Sequence, residues 1–198
     1  MLGIFLDSET NGLNARRHRI LEIAFKIIDV QSGVLLEQYS SPIAMSPEQW
    51  ALSDPSSLQV NGFTWEDVQH APSCEAIADE IIALFSKHGI QRGKAVFICQ
   101  NPSFDRVFFS QLVDPDAQEK LLWPYHWLDL ASMFWSRSLL LAKQNGGKYP
   151  WESGYTKDRI ALAMKLPVEK QPHRAINGVN HLLLCYEAVV GFPKARPS

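Results

Sequence analysis

The chain opens on a short apolar run that ends abruptly in acidic and turn-forming residues. Residues 2–6 are followed by Asp7-Ser8-Glu9-Thr10 and then by the turn-forming pair Asn11-Gly12. A continuous apolar run of this length, closed by a turn, is typical of a strand that is covered on both faces of a sheet. We therefore expect a buried central strand at the start of the chain.

Asp7 and Glu9 form a pair of acids at the end of this predicted strand. Because side chains alternate along a strand, residues two apart project from the same face. Two carboxylates held side by side repel each other unless a proton or a cation lies with them. Carboxylates without cysteine suit hard divalent ions such as Mg²⁺ or Mn²⁺. Taken alone, the pair is explained at least as well by a solvated acidic turn behind the strand.

Composition is that of an ordinary globular protein. With 198 residues, of which 46% are hydrophobic and 20% charged, the chain can form one well-packed domain. We expect a single domain over residues 1–192 and a short tail over residues 193–198. The formal net charge of -2 gives no global basic signal for nucleic acid, although a metal-loaded acidic site can hold phosphates locally.

Cysteine usage and hydropathy indicate the compartment. The three cysteines show neither zinc-site spacing nor a disulfide framework, which favours a reducing environment. The apolar N-terminus is too short for a signal peptide, and no apolar run approaches the length that spans a membrane. We therefore expect a cytoplasmic protein that does not bind membranes.

The later segments predict an α/β domain with a mixed sheet. Residues 20–30 and 34–43, separated by Gln31-Ser32-Gly33, predict an antiparallel hairpin. Residues 94–99 predict a fourth strand, and Asn101-Pro102 predicts a helix capped by Asn101 that runs to about residue 113. Further helices are expected over residues 75–88, 157–166 and 179–190. A strand or helix at 128–130 is expected to lead into a helix through 141. Residues 40–69 are expected to form a loop with room for a short helical turn, residues 144–154 a loop, and residues 167–172 a connector.

Acids and one histidine from separate segments are expected to meet. Asp7 and Glu9 end the first strand, Asp105 lies in the first turn after the fourth, and His173 precedes the last helix. The ends of strands in an open α/β sheet converge on one crevice, where ligands bind. Such a set indicates two-metal phosphoryl chemistry, with the ions roughly 3.5–4 Å apart and the histidine taking a proton from water near neutral pH.

Four short motifs, in order along nearly the whole chain, resemble those of the DEDDh (DnaQ-like) family of 3′–5′ exonucleases, in the ribonuclease H-like superfamily. They are Asp7-Ser8-Glu9-Thr10-Asn11-Gly12-Leu13, Val60-Asn61-Gly62-Phe63-Thr64, Asn101-Pro102-Ser103-Phe104-Asp105 and His173-Arg174-Ala175. Each motif is weak alone, but their order and spacing together are specific. The resemblance implies a ribonuclease H-like mixed sheet, with its second strand antiparallel to its neighbours, flanked by helices.

The resemblance also implies an activity. It implies a metal-dependent 3′–5′ exonuclease that hydrolyses phosphodiester bonds at single-stranded DNA or RNA 3′ ends and releases nucleoside 5′-monophosphates. Asp7, Glu9 and Asp105 resemble the ligands of two divalent cations, Mg²⁺ or Mn²⁺, and His173 resembles the general base. Family members work in DNA repair or replication, some associate with a polymerase, and they occur as monomers or homodimers.

Several residues resemble the family's substrate contacts. Leu13 resembles an apolar wedge between the last two bases, unless it only seats its loop. Phe63 and Phe104 offer stacking surfaces worth ~1–3 kcal/mol per base, although Phe104 suits a core position equally well. The full set expected to border the substrate is Thr10, Asn11, Gly12, Leu13, Phe63, Asn101 and Phe104.

One departure from the family pattern falls on the last motif. The family has an aspartate five residues after the histidine, where this chain has Gly178, preceded by Asn177. Asn177 could cap the last helix or ligate a metal ion, Asn180 could take the second role, or the ion is simply bound more weakly. An alternative function follows, namely a catalytically impaired exonuclease-like module that binds nucleic acid or a polymerase.

Overall fold

A five-stranded mixed sheet is the centre of the fold. The computed structural model describes residues 1–193. The strands are β1 Leu2–Thr10, β2 Ile20–Asp29, β3 Leu35–Pro42, β4 Ala95–Cys99 and β5 Trp127–Asp129, in the spatial order β3-β2-β1-β4-β5. β2 is antiparallel to both of its neighbours, whereas β1, β4 and β5 run parallel. The predicted ribonuclease H-like sheet with an antiparallel second strand is therefore confirmed.

The helices of the described residues cover both faces of this sheet. Their bounds are α1 Pro47–Trp50, α2 Pro55–Asn61, α3 Trp65–Val68, α4 Cys74–Lys87, α5 Pro102–Phe109, α6 Pro115–Lys120, α7 Leu130–Asn145, α8 Pro150–Ser153, α9 Lys157–Ala163 and α10 Ala175–Val189. The predicted loop at residues 40–69 therefore contains three short helices, and the one at 144–154 contains α8.

One predicted helix cap and one predicted helix start are wrong. α5 does begin after Asn101, but this residue has a left-handed backbone (φ 59°) and its side chain makes no capping hydrogen bond. α10 begins at Ala175, four residues before the predicted start, so Asn177 lies inside the helix and does not cap it.

β1 is buried because its side chains alternate between two cores. Ile4 and Leu6 pack into a core shared with α4 and α5, while Phe5 packs into a second core shared with α7, α9 and α10. A strand that is covered on both faces needs an unbroken apolar run. β1 continues through Thr10, so Asp7 and Glu9 lie within the strand and not in a solvated turn behind it.

The end of β4 creates the opening in which these acids lie. β4 pairs with β1 from Leu2 to Phe5, and β1 then continues beyond that pairing. The chain leaving β4 enters α5, whose first turn packs beside the extended part of β1. The sheet topology therefore brings two separate segments together at the carboxyl ends of two parallel strands.

Two expectations concern the ends and surroundings of the chain. Within residues 1–193, no helix is long and apolar enough to cross a membrane. The domain boundary at residue 192 and the location in the cell stay predictions. Residues 194–198 of the expected tail lie outside the described residues.

Candidate active site

Three carboxylates meet where β1 runs beyond β4. Asp7 and Glu9 share one face of β1, and the side chain of Asp7 is only 13% exposed. Asp105 is 4% exposed in the first turn of α5, and its Oδ1 accepts a hydrogen bond of 2.7 Å from Ser8 Oγ. The structure thus brings together three acids that the sequence singled out.

Burial and nearby carboxylates raise the pKa of each of these acids. Burial, together with the nearby charge of Asp7, raises the pKa of Glu9 to about 8. The same two causes raise the pKa of Asp105 to about 8, against the hydrogen bond from Ser8. Burial also raises the pKa of Asp7, and the Lys157 ammonium opposes that rise. A cation bound among these carboxylates would take the place of the protons.

Two charged residues that the sequence analysis missed complete the cluster. Lys157 is the first residue of α9, and its Nζ lies 3.0 Å from Asp7 Oδ1 and 3.0 Å from Glu169 Oε2. Glu169 lies in the connector between α9 and α10, with its side chain 2% exposed. Neither residue belongs to a motif or to a periodic pattern of the sequence, so no local signal pointed to them.

His173 lies at the same site. Its side chain is 27% exposed, and its Nδ1 is 3.4 Å from Glu169 Oε1. Its backbone N–H donates to the carbonyl of Val60 at the end of α2, which ties this histidine to the wall of the crevice. His173 is thus connected to Asp7 through Glu169 and Lys157.

Glu169 is held from a second side by His181. His181 is 5% exposed on α10, and its Nδ1 is 3.7 Å from Glu169 Oε2. Burial raises the pKa of Glu169, but His181 and Lys157 outweigh burial and lower it to about 2. Contacts with Cys185 and Glu169 raise the pKa of His181 to about 10. Near neutral pH this pair is therefore ionised, and His181 is a buried support of the site.

α10 brings a glycine, not a fourth acid, against Asp7. A Cβ at Gly178 would lie 2.0 Å from Asp7 Oδ2, so the Asp7 carboxylate fills the space beside the helix. Consecutive side chains on a helix point about 100° apart, so Asn177 does not point towards Asp7 as position 178 does. Instead, Asn177 lines a groove between α10 and the connector of residues 167–170. Asn180 Oδ1 accepts a hydrogen bond from Lys26 Nζ. We therefore correct the expectation that Asn177 or Asn180 replaces the missing acid.

Two grooves meet at Leu13 and Phe104, on the open side of the carboxylates. The first has a volume of about 300 Å³, and its lining includes Glu9, Thr10 and Val60. The second, of about 480 Å³, lies between the loop after β1 and α5. Leu13 is 76% exposed, and Phe104 also packs partly against the first core. Their wedge and stacking roles stay predictions.

Phe63 does not face the crevice. It is 5% exposed and packs in a small core with Leu21, Met45 and Val68. The guanidinium of Arg174 covers its ring at 3.9 Å from the centroid. The expectation that Phe63 stacks on a base is wrong, because its ring is buried in this core and covered by Arg174.

The loop after β1 is held by its own polar groups. Asn11 is fully buried, its Nδ2 donates to Gln49 O and Ser53 Oγ, and its Oδ1 accepts from the Arg19 N–H. A Cβ at Gly12 would lie 2.2 Å from the His18 ring. Asn11 and Gly12 therefore shape this loop, and any contact they make with substrate stays a prediction.

Thr10 is the last residue of β1, and Asn101 directly precedes α5. Thr10 is 6% exposed, and its Oγ1 donates to the carbonyl of Gly12. Asn101 is exposed, and its backbone N–H donates to Asp129 Oδ1 at 3.0 Å. Their predicted contacts with substrate are untested by this geometry.

A family model described as Exonuclease matches residues 4–179, a span that contains all three acids and His173. The chain belongs to this exonuclease family. The match confirms the resemblance that the four motifs indicated, to the DnaQ-like exonucleases of the ribonuclease H-like superfamily.

Relatives of this exonuclease domain include two proteins named Ribonuclease T. The protein from Haemophilus ducreyi is 28% identical over 137 residues, which cover 67% of this chain and 64% of that protein. The one from Actinobacillus pleuropneumoniae is 25% identical over 159 residues, covering 76% of this chain and 73% of that protein. The chain thus spans just under two thirds of the first of these relatives.

Solved structures of exonuclease I share the fold. E. coli exonuclease I in complex with a 5cy-dA13 oligonucleotide aligns with a TM-score of 0.72 at 17% identity, over 96% of this chain and 41% of that one. The complex with a dT13 oligonucleotide gives a TM-score of 0.69 at 16% identity, over 95% and 40%. At this identity the likeness establishes the fold alone, and this exonuclease domain spans about two fifths of those chains.

The side chains of this exonuclease domain fit a hard cation. Among residues 1–193, no group of three or more His, Cys, Asp or Glu side chains is already arranged as a metal centre. Glu9 and Asp105 nevertheless hold protons that a divalent ion would displace, and their oxygens suit Mg²⁺ or Mn²⁺. The donor set therefore fits metal binding coupled to loss of protons, with Lys157 already beside Asp7.

Proposed function

We propose that this chain is a metal-dependent 3′–5′ exonuclease that hydrolyses the terminal phosphodiester bond of a single-stranded nucleic acid and releases nucleoside 5′-monophosphates. The observation that carries the proposal is the cluster of Asp7, Glu9 and Asp105 beside His173, in a chain of the exonuclease family. Buried acids with raised pKa values in a crevice are typical of catalytic sites.

The acids and the histidine have different roles, namely metal binding and proton transfer. When bound, Mg²⁺ or Mn²⁺ supplies positive charge to the attacked phosphate and the leaving oxygen. Asp7, Glu9 and Asp105 provide the oxygens for such binding. His173 takes the proton of the attacking water. Since Glu169 lies against its Nδ1, the other ring nitrogen, Nε2, is left to receive that proton.

The two grooves provide a path for the strand end. We place the terminal nucleotide in the groove of Thr10, Leu13 and Val60, next to Glu9, and the preceding nucleotide in the groove beyond Leu13. Arg16 lines the second groove and is positioned to contact a phosphate. Relatives named Ribonuclease T and neighbours solved with oligodeoxynucleotides support single-stranded ends of either RNA or DNA as substrates.

The test is digestion of 5′-labelled single-stranded DNA and RNA with Mg²⁺, Mn²⁺ or EDTA. Shortening from the 3′ end, with release of nucleoside 5′-monophosphates and inhibition by EDTA, is expected. His173→Ala should lower turnover by ~10²–10⁴, the usual contribution of a general base, and Asp7→Ala should also abolish most activity. Lys94→Ala, at the other end of the sheet, is the control. Full turnover in His173→Ala or Asp7→Ala would refute the assignment.

A second candidate is an impaired module that binds nucleic acid or a polymerase without cleaving. It is favoured by Gly178, and by the ion pair that Lys157 makes with Asp7. It predicts strand binding in EDTA and no cleavage with any metal. Because a Cβ at position 178 meets Asp7, the fourth acid is best restored as Gly178→Asp together with Lys157→Met. Cleavage that appears only in this double variant would favour the impaired module.

A further inference from the structure

Lys157 places a positive charge inside the carboxylate cluster. Its side chain is 15% exposed, and its Nζ lies 3.0 Å from oxygens of both Asp7 and Glu169. The two ion pairs place opposite charges directly against an ammonium that burial alone would disfavour. A compact ammonium between two buried carboxylates has the position and the charge sign of a ligated cation.

Glu169 is built to hold that ammonium in place. Its backbone N–H donates to Asp158 Oδ1, in the residue next to Lys157, so the connector is fastened to the start of α9. His181 approaches the same carboxylate from α10. The start of α9, the connector and α10 therefore hold the ion pair in place, and the Glu169 side chain is only 2% exposed.

Gly178 fits the same arrangement. With no side chain at this position, Asp7 directs one oxygen at α10 and the other at Lys157. Glu169 restores the number of carboxylates to four, counting Asp7, Glu9 and Asp105. Lys157 and His181 both lie against Glu169, and Lys157 also occupies one oxygen of Asp7, which leaves the second oxygen of Asp7 and the oxygens of Glu9 and Asp105 for one divalent ion.

We propose that Lys157, held by Glu169, takes the place of one of the two cations of the site, so that the chain binds a single divalent ion through the remaining oxygens of Asp7, Glu9 and Asp105. This inference rests on the proposed function, because it concerns the same site. In this chain the glycine at position 178 therefore occurs together with Lys157 and Glu169 at the same site.

The test counts metal ions directly. Metal-free protein is titrated with Mn²⁺, and free Mn²⁺ is measured by electron paramagnetic resonance, with calorimetry as a second count. We expect one ion per chain for the wild type. Lys157→Met keeps the apolar stem and removes the charge, so two ions are expected. Lys157→Arg, which keeps the charge, and Lys94→Met, an exposed lysine remote from the site, should each bind one.

The outcomes separate this inference from the proposed function. Two ions or none in the wild type, or one ion in folded Lys157→Met, would overturn the inference. The wild-type count needs no variant, so the inference stays falsifiable if Lys157→Met does not fold, which circular dichroism would show. Failure of the proposed function is a different result, namely no cleavage of DNA or RNA with any metal, whatever the count.

Discussion

The contact between Gly178 and Asp7 shows how one residue can change a site twice. The glycine removes a negative charge and also gives the Asp7 carboxylate room to lie against α10. A glycine inside a helix is less favourable than alanine by about 1 kcal/mol, so the position has a local cost. The close approach of Asp7 is a physical reason for glycine at that place.

Gly178→Ala is predicted to destabilise the fold in spite of its better helix propensity. The added Cβ would lie 2.0 Å from Asp7 Oδ2, so the carboxylate must leave its bond with Lys157. We expect the free energy of unfolding to fall by ~1–3 kcal/mol, as for overpacked sites. Urea denaturation measures it, and Glu187→Ala on the solvent side of the same helix is the control. A stabilised Gly178→Ala would show that Asp7 moves freely.

Leu13 tests the substrate path at the level of one side chain. Because it is 76% exposed, Leu13→Ala should change the free energy of unfolding by less than ~0.5 kcal/mol. If Leu13 presses between bases, KM for a single-stranded oligonucleotide should rise several-fold while kcat changes less. Steady-state kinetics provide the measurement, with Leu52→Ala as an exposed control in another loop. An unchanged KM would show that Leu13 does not contact the substrate and only helps to position its own loop.

At the scale of elements, one buried side chain fastens the short helices to the sheet. Asn11 bonds to Gln49 and Ser53 around α1, and its carbonyl accepts the N–H of Asp54, the cap of α2. Asn11→Ala should therefore loosen residues 46–61 and cost about 1–3 kcal/mol for the groups left unpaired. Faster amide hydrogen exchange confined to this segment is the expected signature. Gln59→Ala, which changes an exposed residue of α2, is the control and should leave the exchange rates unchanged. Unchanged exchange rates in Asn11→Ala would contradict the prediction, because they would show that α1 and α2 are stable without the Asn11 side chain.

Elements with strong periodic patterns could be predicted from the sequence. β1, the hairpin of β2 and β3, β4 and α4 were found because each has to bury a continuous or periodic apolar face. The short helices α1 and α2 were missed, although Ser46-Pro47 and Asp54-Pro55 place a capping residue directly before proline. These helices are short and contain few apolar residues, so the sequence shows no helical periodicity of apolar positions there.

The acids of the site were predictable for a related reason. Asp7 and Glu9 lie in the last part of one strand that the pattern identifies, and Asp105 follows another, so topology alone brings them together. Lys157 and Glu169 lie outside such patterns. Their contact with Asp7 depends on how α9 and the connector pack against β1, which no local spacing records.

At the scale of the whole molecule, the site makes stability depend on pH and metal. The pKa values of Glu9 and Asp105 are raised to about 8, so the folded, metal-free protein keeps protons that the unfolded chain releases at lower pH. The unfolding free energy therefore falls from about pH 5 to pH 8. His181, with a pKa raised to about 10, changes stability in the same direction above its unfolded value.

Thermal unfolding in EDTA should show this directly. We expect the midpoint to decrease between pH 5 and pH 8, and Mn²⁺ to raise it more at pH 8, where fewer protons compete for the carboxylates. Glu9→Gln should flatten the decrease, because its side chain no longer titrates. A midpoint in EDTA that rises steadily to pH 8 would mean that the carboxylates are already neutralised by other groups.

Lys157 has a consequence for how such a protein responds to metal starvation. A chelator can strip a bound ion from carboxylates, but it cannot remove a charge that is part of the chain. The crevice beside Asp7 therefore stays partly neutralised and shaped when metal is scarce. In the single-ion site that we propose, capture of one ion from solution would restore the working state, where a site without the lysine would have to capture two.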